Sequence, residues 1–326
     1  MRHGVRIVDA IVETKKWASF ARLEAPLRPR CTHQVTNMPI PFLLLSLAVC
    51  LLWVPPLSIG GRYVPSWCPA FGAAVIAGLL SGALAPVAVL WLGMLCAMGW
   101  GTHIVDQGWR STTLTVLTAV AALVMSLHKL PGFHNPAAFV GFKLTLDATP
   151  FTLYFNFDKG AAGLVILASL GPKLTRIRAW PALLPTTLMA ATITSAVAIG
   201  AAVAVGFTRF EPKAPGTTLV FLLTNLLFTC VAEEAFFRGL IQARLTRLAE
   251  MSKRPWLKPV AIGLSAILFG LVHVSGGGPT MVFATLAGLG YAMVYERTSA
   301  IEAPILVHFA LNTIHFLLFT YPSLAR

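Results

Sequence analysis

Apolar runs dominate the chain, at roughly 41–54, 69–84, 86–100, 111–128, 161–171, 181–206, 217–240, 259–273, 280–295 and 303–321, with joints of Pro, Gly and charged residues between them. A helix needs about 20 apolar residues to cross a hydrocarbon core about 30 Å thick, and the pattern predicts about eight or nine such helices. Inside lipid each backbone polar group must be satisfied within its own segment. The fold class that follows is all-α, a polytopic transmembrane helical bundle. The 161–171 run, at 11 residues, is too short to span and is expected not to cross.

One stretch breaks the pattern. Between Gly132 and Lys159, Phe151, Leu153, Phe155 and Phe157 alternate with Thr152, Tyr154, Asn156 and Asp158, a period of two that predicts an interfacial hairpin or a re-entrant loop. Asp147, Asp158 and Lys159 within it read as a solvated loop. The chain divides into a basic cytoplasmic arm at 1–37, membrane helices at 38–206 carrying the 132–160 insert, and a helical core at 207–326. The first run, from Pro41 to Val54, is followed by no small-residue cleavage site and reads as an uncleaved signal anchor. Met38, directly before it, is an alternative start.

Composition agrees with this solvent. Of 326 residues, 56% are hydrophobic and 11% charged, too little polar surface to cover a soluble globule of that size. The net charge of +13 would suit nucleic acid, but the basic residues fall between apolar runs and act as topology signals. The arm carries Arg2, Arg6, Lys15, Lys16, Arg22, Arg28 and Arg30; Arg244, Arg247, Lys253, Arg254 and Lys258 form the strongest internal cluster. Both are expected to face the cytoplasm, the internal cluster with a secondary role as an anionic-lipid contact. Cys31, Cys50, Cys68, Cys96 and Cys230 lack metal-like spacing and read as free thiols.

Ionisable groups in hydrocarbon cost a few kcal/mol each, roughly, and persist where they face a partner or a wet cavity. Glu233, Glu234, His273, His308 and Asn312 lie in such positions and form the active-site hypothesis. Glu234 and Arg238 are spaced i, i+4 and can pair on one face. Glu233, rotated about 100° from Glu234, has no such partner within its helix and is free for chemistry. Counting about 1.5 Å per residue from the basic loop puts Glu233 about 16 Å deep, His273 about 22 Å, Asn312 about 15 Å and His308 about 9 Å, close enough to share a layer. A carboxylate with two imidazoles suits activation of water, and an amide with an imidazole suits a developing oxyanion, so hydrolysis of an amide is the natural reaction.

The motifs Glu233-Glu234-x-x-x-Arg238, Phe269-x-x-x-His273 and His308-x-x-x-Asn312 resemble, in order and gaps, those of the CAAX endopeptidase and bacteriocin-processing (CPBP or Abi) intramembrane proteases. The resemblance covers roughly 217–321. It implies that Glu233 and His273 activate water, that His308 and Asn312 form the oxyanion site, and that Glu234 and Arg238 brace the first motif. It also admits a metalloprotease, with zinc on Glu233, His273 and His308. The chain has no His-Glu-x-x-His, and using Glu233 as a ligand removes the obvious base, so the metal-free glutamate mechanism, without cofactor, is favoured.

Each polar group also has a purely structural reading: a buried salt bridge for the glutamates, a carbonyl-binding helix end for His273, an interhelical hydrogen bond for His308 and Asn312. His315 reads as structural, His103, His128 and His134 as interfacial, and Gly288 and Gly290 as close-packing positions. The favoured function is an intramembrane endopeptidase of a prokaryotic inner membrane. Its expected partners are a membrane-embedded or lipid-associated peptide or protein substrate and membrane lipids, with no nucleic acid. Peptides, signal remnants or anchor segments are favoured over prenylated substrates. The alternatives are a non-catalytic scaffold or bacteriocin-immunity protein using the same cavity, and a proton-coupled transporter, against which stand the Asn beside His308 and the lack of internal repeats.

Overall fold

The structure, a computed structural model, describes residues 37–325 except 106, 107, 172, 173 and 175. The basic arm and Cys31 lie outside the described residues. Among those described, helices α1 (Ile40–Cys50), α2 (Trp67–Leu80), α3 (Pro86–Ile104), α4 (Trp109–Ser126), α5 (Phe157–Ser169) and α6 (Trp180–Ala204) precede a long helix, α7 (Thr218–Met251). Helices α8 (Leu257–Leu271), α9 (Gly277–Thr298) and α10 (Glu302–Leu318) complete the fold. Proline opens α1, α3 and α6 within their first two positions, where its missing N–H and fixed φ cost nothing.

By length and composition α3, α6, α7 and α9 are long and apolar enough to cross a membrane, the second and last with the short turn preceding each. Shorter apolar helices lie at Ile40–Trp53, Trp67–Leu80, Leu257–Leu271 and Glu302–Leu318. The protein is therefore a mostly helical membrane protein. The eight or nine runs read from sequence divide into these full-length spans and shorter pieces.

Two hairpins interrupt the helices. Strands β1 (Leu57–Ile59) and β2 (Arg62–Val64) pair antiparallel, and β3 (Ala137–Phe142) pairs antiparallel with β4 (Phe151–Tyr154) inside the 132–160 segment. The alternating pattern of that segment is strand only to Tyr154. Phe155 and Phe157 turn instead into the core, where both contact the ring of Phe42 on α1.

The short run at 161–171 forms most of α5, which packs against α1, α3 and α4 on one side and α7 on the other. It is buried almost continuously from Phe157 to Leu167. A helix apolar all round belongs in a core. Gly160 and Gly163 allow the close approach: a Cβ at Gly163 would stand 2.5 Å from the Ala232 Cα, one residue before Glu233. The insert thus delivers a buried helix directly onto the helix that carries the acidic motif. On the opposite flank α6 packs on α9 and α10, and α8 on α9. Gly288 and Gly290 are the close-packing positions expected, a Cβ at Gly290 colliding with the Thr194 hydroxyl of α6.

Candidate active site

Around Glu233 and Glu234 the helix changes its winding. Val231–Glu234 is a single α-helical turn between two π-helical stretches, Asn225–Cys230 and Ala235–Gln242. Such widened turns recur at functional sites because they re-aim side chains within an otherwise regular helix. Neighbouring helices brace the widened turn: Ser265 Oγ of α8 donates to the Phe237 carbonyl at 3.1 Å, and Arg238 Nη2 donates to the Gly288 carbonyl of α9 at 2.8 Å.

The predicted i, i+4 pair forms. Arg238 Nη1 lies 3.1 Å from Glu234 Oε2 and donates to Oε1 at 3.2 Å, and both side chains are fully buried. The guanidinium sits over the rings of Phe269 and Tyr291, 4.7 and 5.2 Å from their centroids, which offsets part of its lost hydration. Glu234 Oε1 also accepts from His308 Nδ1 at 2.8 Å, and Tyr291 stacks on that imidazole with centroids 4.6 Å apart. Glu234 and Arg238 therefore fix the tautomer and plane of His308, leaving its Nε2 3.9 Å from Glu233 Oε2.

Glu233 has a partner that its own helix does not supply. Lys159 Nζ, in the first turn of α5, donates to Glu233 Oε1 at 2.6 Å. Glu233 does lack a partner within its own helix, as read from sequence, whereas the reading of Lys159 as part of a solvated loop is corrected here. The neighbouring Asp158 is corrected likewise: it is buried, accepting from His128 Nδ1 at 2.7 Å and Asn135 Nδ2 at 3.0 Å. Asp147 does sit in an exposed loop, paired with Arg209 at 2.6 Å. The other Glu233 oxygen, Oε2, is buried and accepts no hydrogen bond among the described residues. A carboxylate with one oxygen anchored and the other open is oriented for a further donor.

Glu233, Lys159, His273 and His128 share a cavity of about 320 Å³, walled by Phe236, Phe237 and Val272. His273 follows the end of α8, and its Nδ1 donates to the Phe269 carbonyl at 2.7 Å. That bond is the one expected of a helix-end histidine, and it also commits Nδ1–H so that Nε2 is the free nitrogen. Across the site His128, His273 and His308 are all held through Nδ1, by acceptors that cannot donate.

Asn312 stands apart from this cavity's walls. Its Nδ2 donates to Asn225 Oδ1 at 3.3 Å, and Cys230 Sγ donates to the same oxygen at 3.2 Å. Asn312 Nδ2 also donates to Cys230 Sγ at 3.9 Å, so both N–H groups of the amide have acceptors on α7. His315 faces Tyr321, with ring centroids 5.0 Å apart, and His134 Nδ1 donates to the Gly82 carbonyl. His128, read from sequence as interfacial, is the histidine whose role the structure changes. The signal that could have found Lys159 and Asp158 is their position: two charges heading an apolar run too short to span.

Zinc on Glu233, His273 and His308 fits this arrangement poorly. A Lys159 ammonium already sits 2.6 Å from Glu233, and His308 Nε2 is 3.9 Å from the other oxygen. Among the described residues, no group of three or more His, Cys, Asp or Glu side chains is disposed to hold a metal ion.

No curated protein and no solved structure matches the chain. A family model does: residues 215–314, which contain all three motifs, match the Rce1-like type II CAAX prenyl endopeptidases, so this region of the membrane protein is similar to a family of peptidases.

Proposed function

We propose that the protein is an intramembrane endopeptidase that hydrolyses a peptide bond of a membrane-embedded or lipid-associated substrate, with Glu233 and His273 activating water and no resident metal. The observation that carries this reading is Glu233 itself: a nearly sealed carboxylate with one oxygen clamped by Lys159 and the other left open. The Lys159 ammonium lies directly against a carboxylate whose ionised form accepts a proton from water. It also supplies the positive charge that a cation would otherwise bring to that side of the site.

His273 Nε2, the nitrogen left free in the same cavity, orients the attacking water. His308 in its imidazolium form, held through Nδ1–H on Glu234, presents an Nε2–H that serves the oxyanion together with the Asn312 amide one turn along α10, a contribution of about 2.7–4 kcal/mol per donor in well-formed sites. Glu234 and Arg238 act through His308 as positioning residues. The family name supports a CAAX-type protease; the substrates favoured are peptides, signal remnants or anchor segments of a prokaryotic inner membrane, in keeping with the short loops between helices.

The test is cleavage of a fluorogenic membrane peptide by the purified protein in lipid nanodiscs. Glu233→Gln is expected to abolish turnover while the protein still elutes as a folded species. Full activity in that variant removes Glu233 as the base.

A further inference from the structure

His128 and Asp158 form an acid–base pair that no motif of the matched region contains, since both lie upstream of residue 215. Asp158 is sealed, its side chain 2% exposed, whereas His128 is 44% exposed and lines the cavity that holds Glu233 and His273. Both Asp158 oxygens are committed, Oδ2 to His128 and Oδ1 to Asn135 Nδ2 and the Lys159 backbone N–H. The carboxylate is therefore fixed in place, and through Nδ1 it fixes the imidazole.

His128 itself occupies the left-handed region at φ +56°, closing the end of α4 where glycine is the inexpensive residue. A side chain kept at such a position, at a cost on the order of 1 kcal/mol, points to a use for that side chain. The charged groups that face it are Asp158 and, around the cavity, Lys159, Glu233 and His273.

We infer that His128, oriented by Asp158, is a further catalytic residue of the same site: the general acid that protonates the leaving amine. The inference rests on the peptidase reading. Water attacks the carbonyl carbon and gives one proton to Glu233, leaving a tetrahedral oxyanion. The C–N bond then breaks with its electron pair going to nitrogen, which takes the Nε2 proton of the His128 imidazolium. The products are a carboxylic acid and an amine, and the proton on Glu233 returns to His128 through solvent in the cavity. Asp158 stabilises the imidazolium and is a positioning residue.

An acid of this kind matters for a poor leaving group and not for a good one. The full-length protein is assayed in nanodiscs on a membrane peptide and on the matching nitrophenyl ester, whose leaving group needs no proton. His128→Gln is expected to slow peptide cleavage about 100-fold or more and ester cleavage by less than about threefold. Asp158→Asn is expected to reproduce that selectivity, and Glu233→Gln to lose both activities. Equal losses on both substrates in His128→Gln, or none, overturn the inference while the peptidase reading stands. Should His128→Gln fail to fold, the wild type carries the test: across a peptide-to-anilide series the dependence of rate on leaving-group basicity is expected to be shallow, because proton transfer offsets the charge on the departing nitrogen, and a steep, unassisted dependence overturns the inference. A wild type inactive on both substrates removes the peptidase reading and this inference with it.

Discussion

Lys159 Nζ lies 2.6 Å from Glu233 Oε1, so the acid of the first motif takes its counter-charge from a helix 74 residues upstream. The two side chains are only 16% and 12% exposed, and removing either leaves the other a buried, unpaired charge. Lys159→Met is expected to destabilise the protein by about 3 kcal/mol, while Lys159→Met with Glu233→Gln recovers most of that loss. Denaturant unfolding of the two single variants and the double variant in detergent measures the coupling; additive effects would mean the contact is not a pair.

Arg238 contributes more than charge, because its plane fits between Phe269 and Tyr291 while its fork reaches Glu234 and Gly288. Arg238→Lys keeps the charge and loses the fork. The variant is expected to lose about 3 kcal/mol of stability and at least tenfold in kcat, with KM nearly unchanged, since His308 is displaced and no cavity wall is. Steady-state kinetics separate the two parameters.

Gly163→Ala places a methyl group against the Ala232 backbone, which has no rotamer to yield, whereas Gly288→Ala meets the Phe269 ring edge at 3.1 Å and Arg238 Nη2 at 3.2 Å. Overpacking of this kind costs about 1–3 kcal/mol. The first variant is expected at or above the top of that range and the second near its foot, a ranking that thermal unfolding reads directly.

Outside the membrane-spanning helices, the Thr320 hydroxyl donates to Glu211 Oε2 at 2.7 Å and, with Arg209 nearby, holds the Glu211 carboxyl below its ordinary value. A depressed folded value stabilises above the unfolded value and loses that contribution as pH falls through the folded one. Wild type is therefore expected to exceed Glu211→Gln in stability at neutral pH, with the gap closing as pH drops below about 4. Melting temperatures of both proteins across that interval check the sign.

A chelator is expected to leave the cleavage rate unchanged, because Lys159 holds the oxygen that a ligand to zinc would need. Loss of activity on stripping, restored by added zinc, would reverse the assignment.

What the chain discloses before folding follows the range of its contacts. Glu234 with Arg238 and Phe269 with His273 are one turn apart, and helix periodicity alone brings them together. The meeting of α7 with α10 at Glu234 and His308 is visible only because several short motifs coincide. Lys159 and Asp158 are marked only by heading a run too short to span, and His128 by nothing, since a charge next to an apolar run looks the same whether the run enters lipid or enters protein. The period-two stretch marked the β3–β4 pair but not the turn of Phe155 and Phe157 into the core. The hydropathy of 161–171 was legible while its destination was not, because burial by neighbours and burial by bilayer select the same residues.

The first turn of α5 supplies both the cation on Glu233 and the anion on His128 from two adjacent residues, Asp158 and Lys159. The roughly hundred-residue region that carries the motifs is consequently not portable: grafted elsewhere without this turn, it would keep Glu233 and lose the ammonium paired with it.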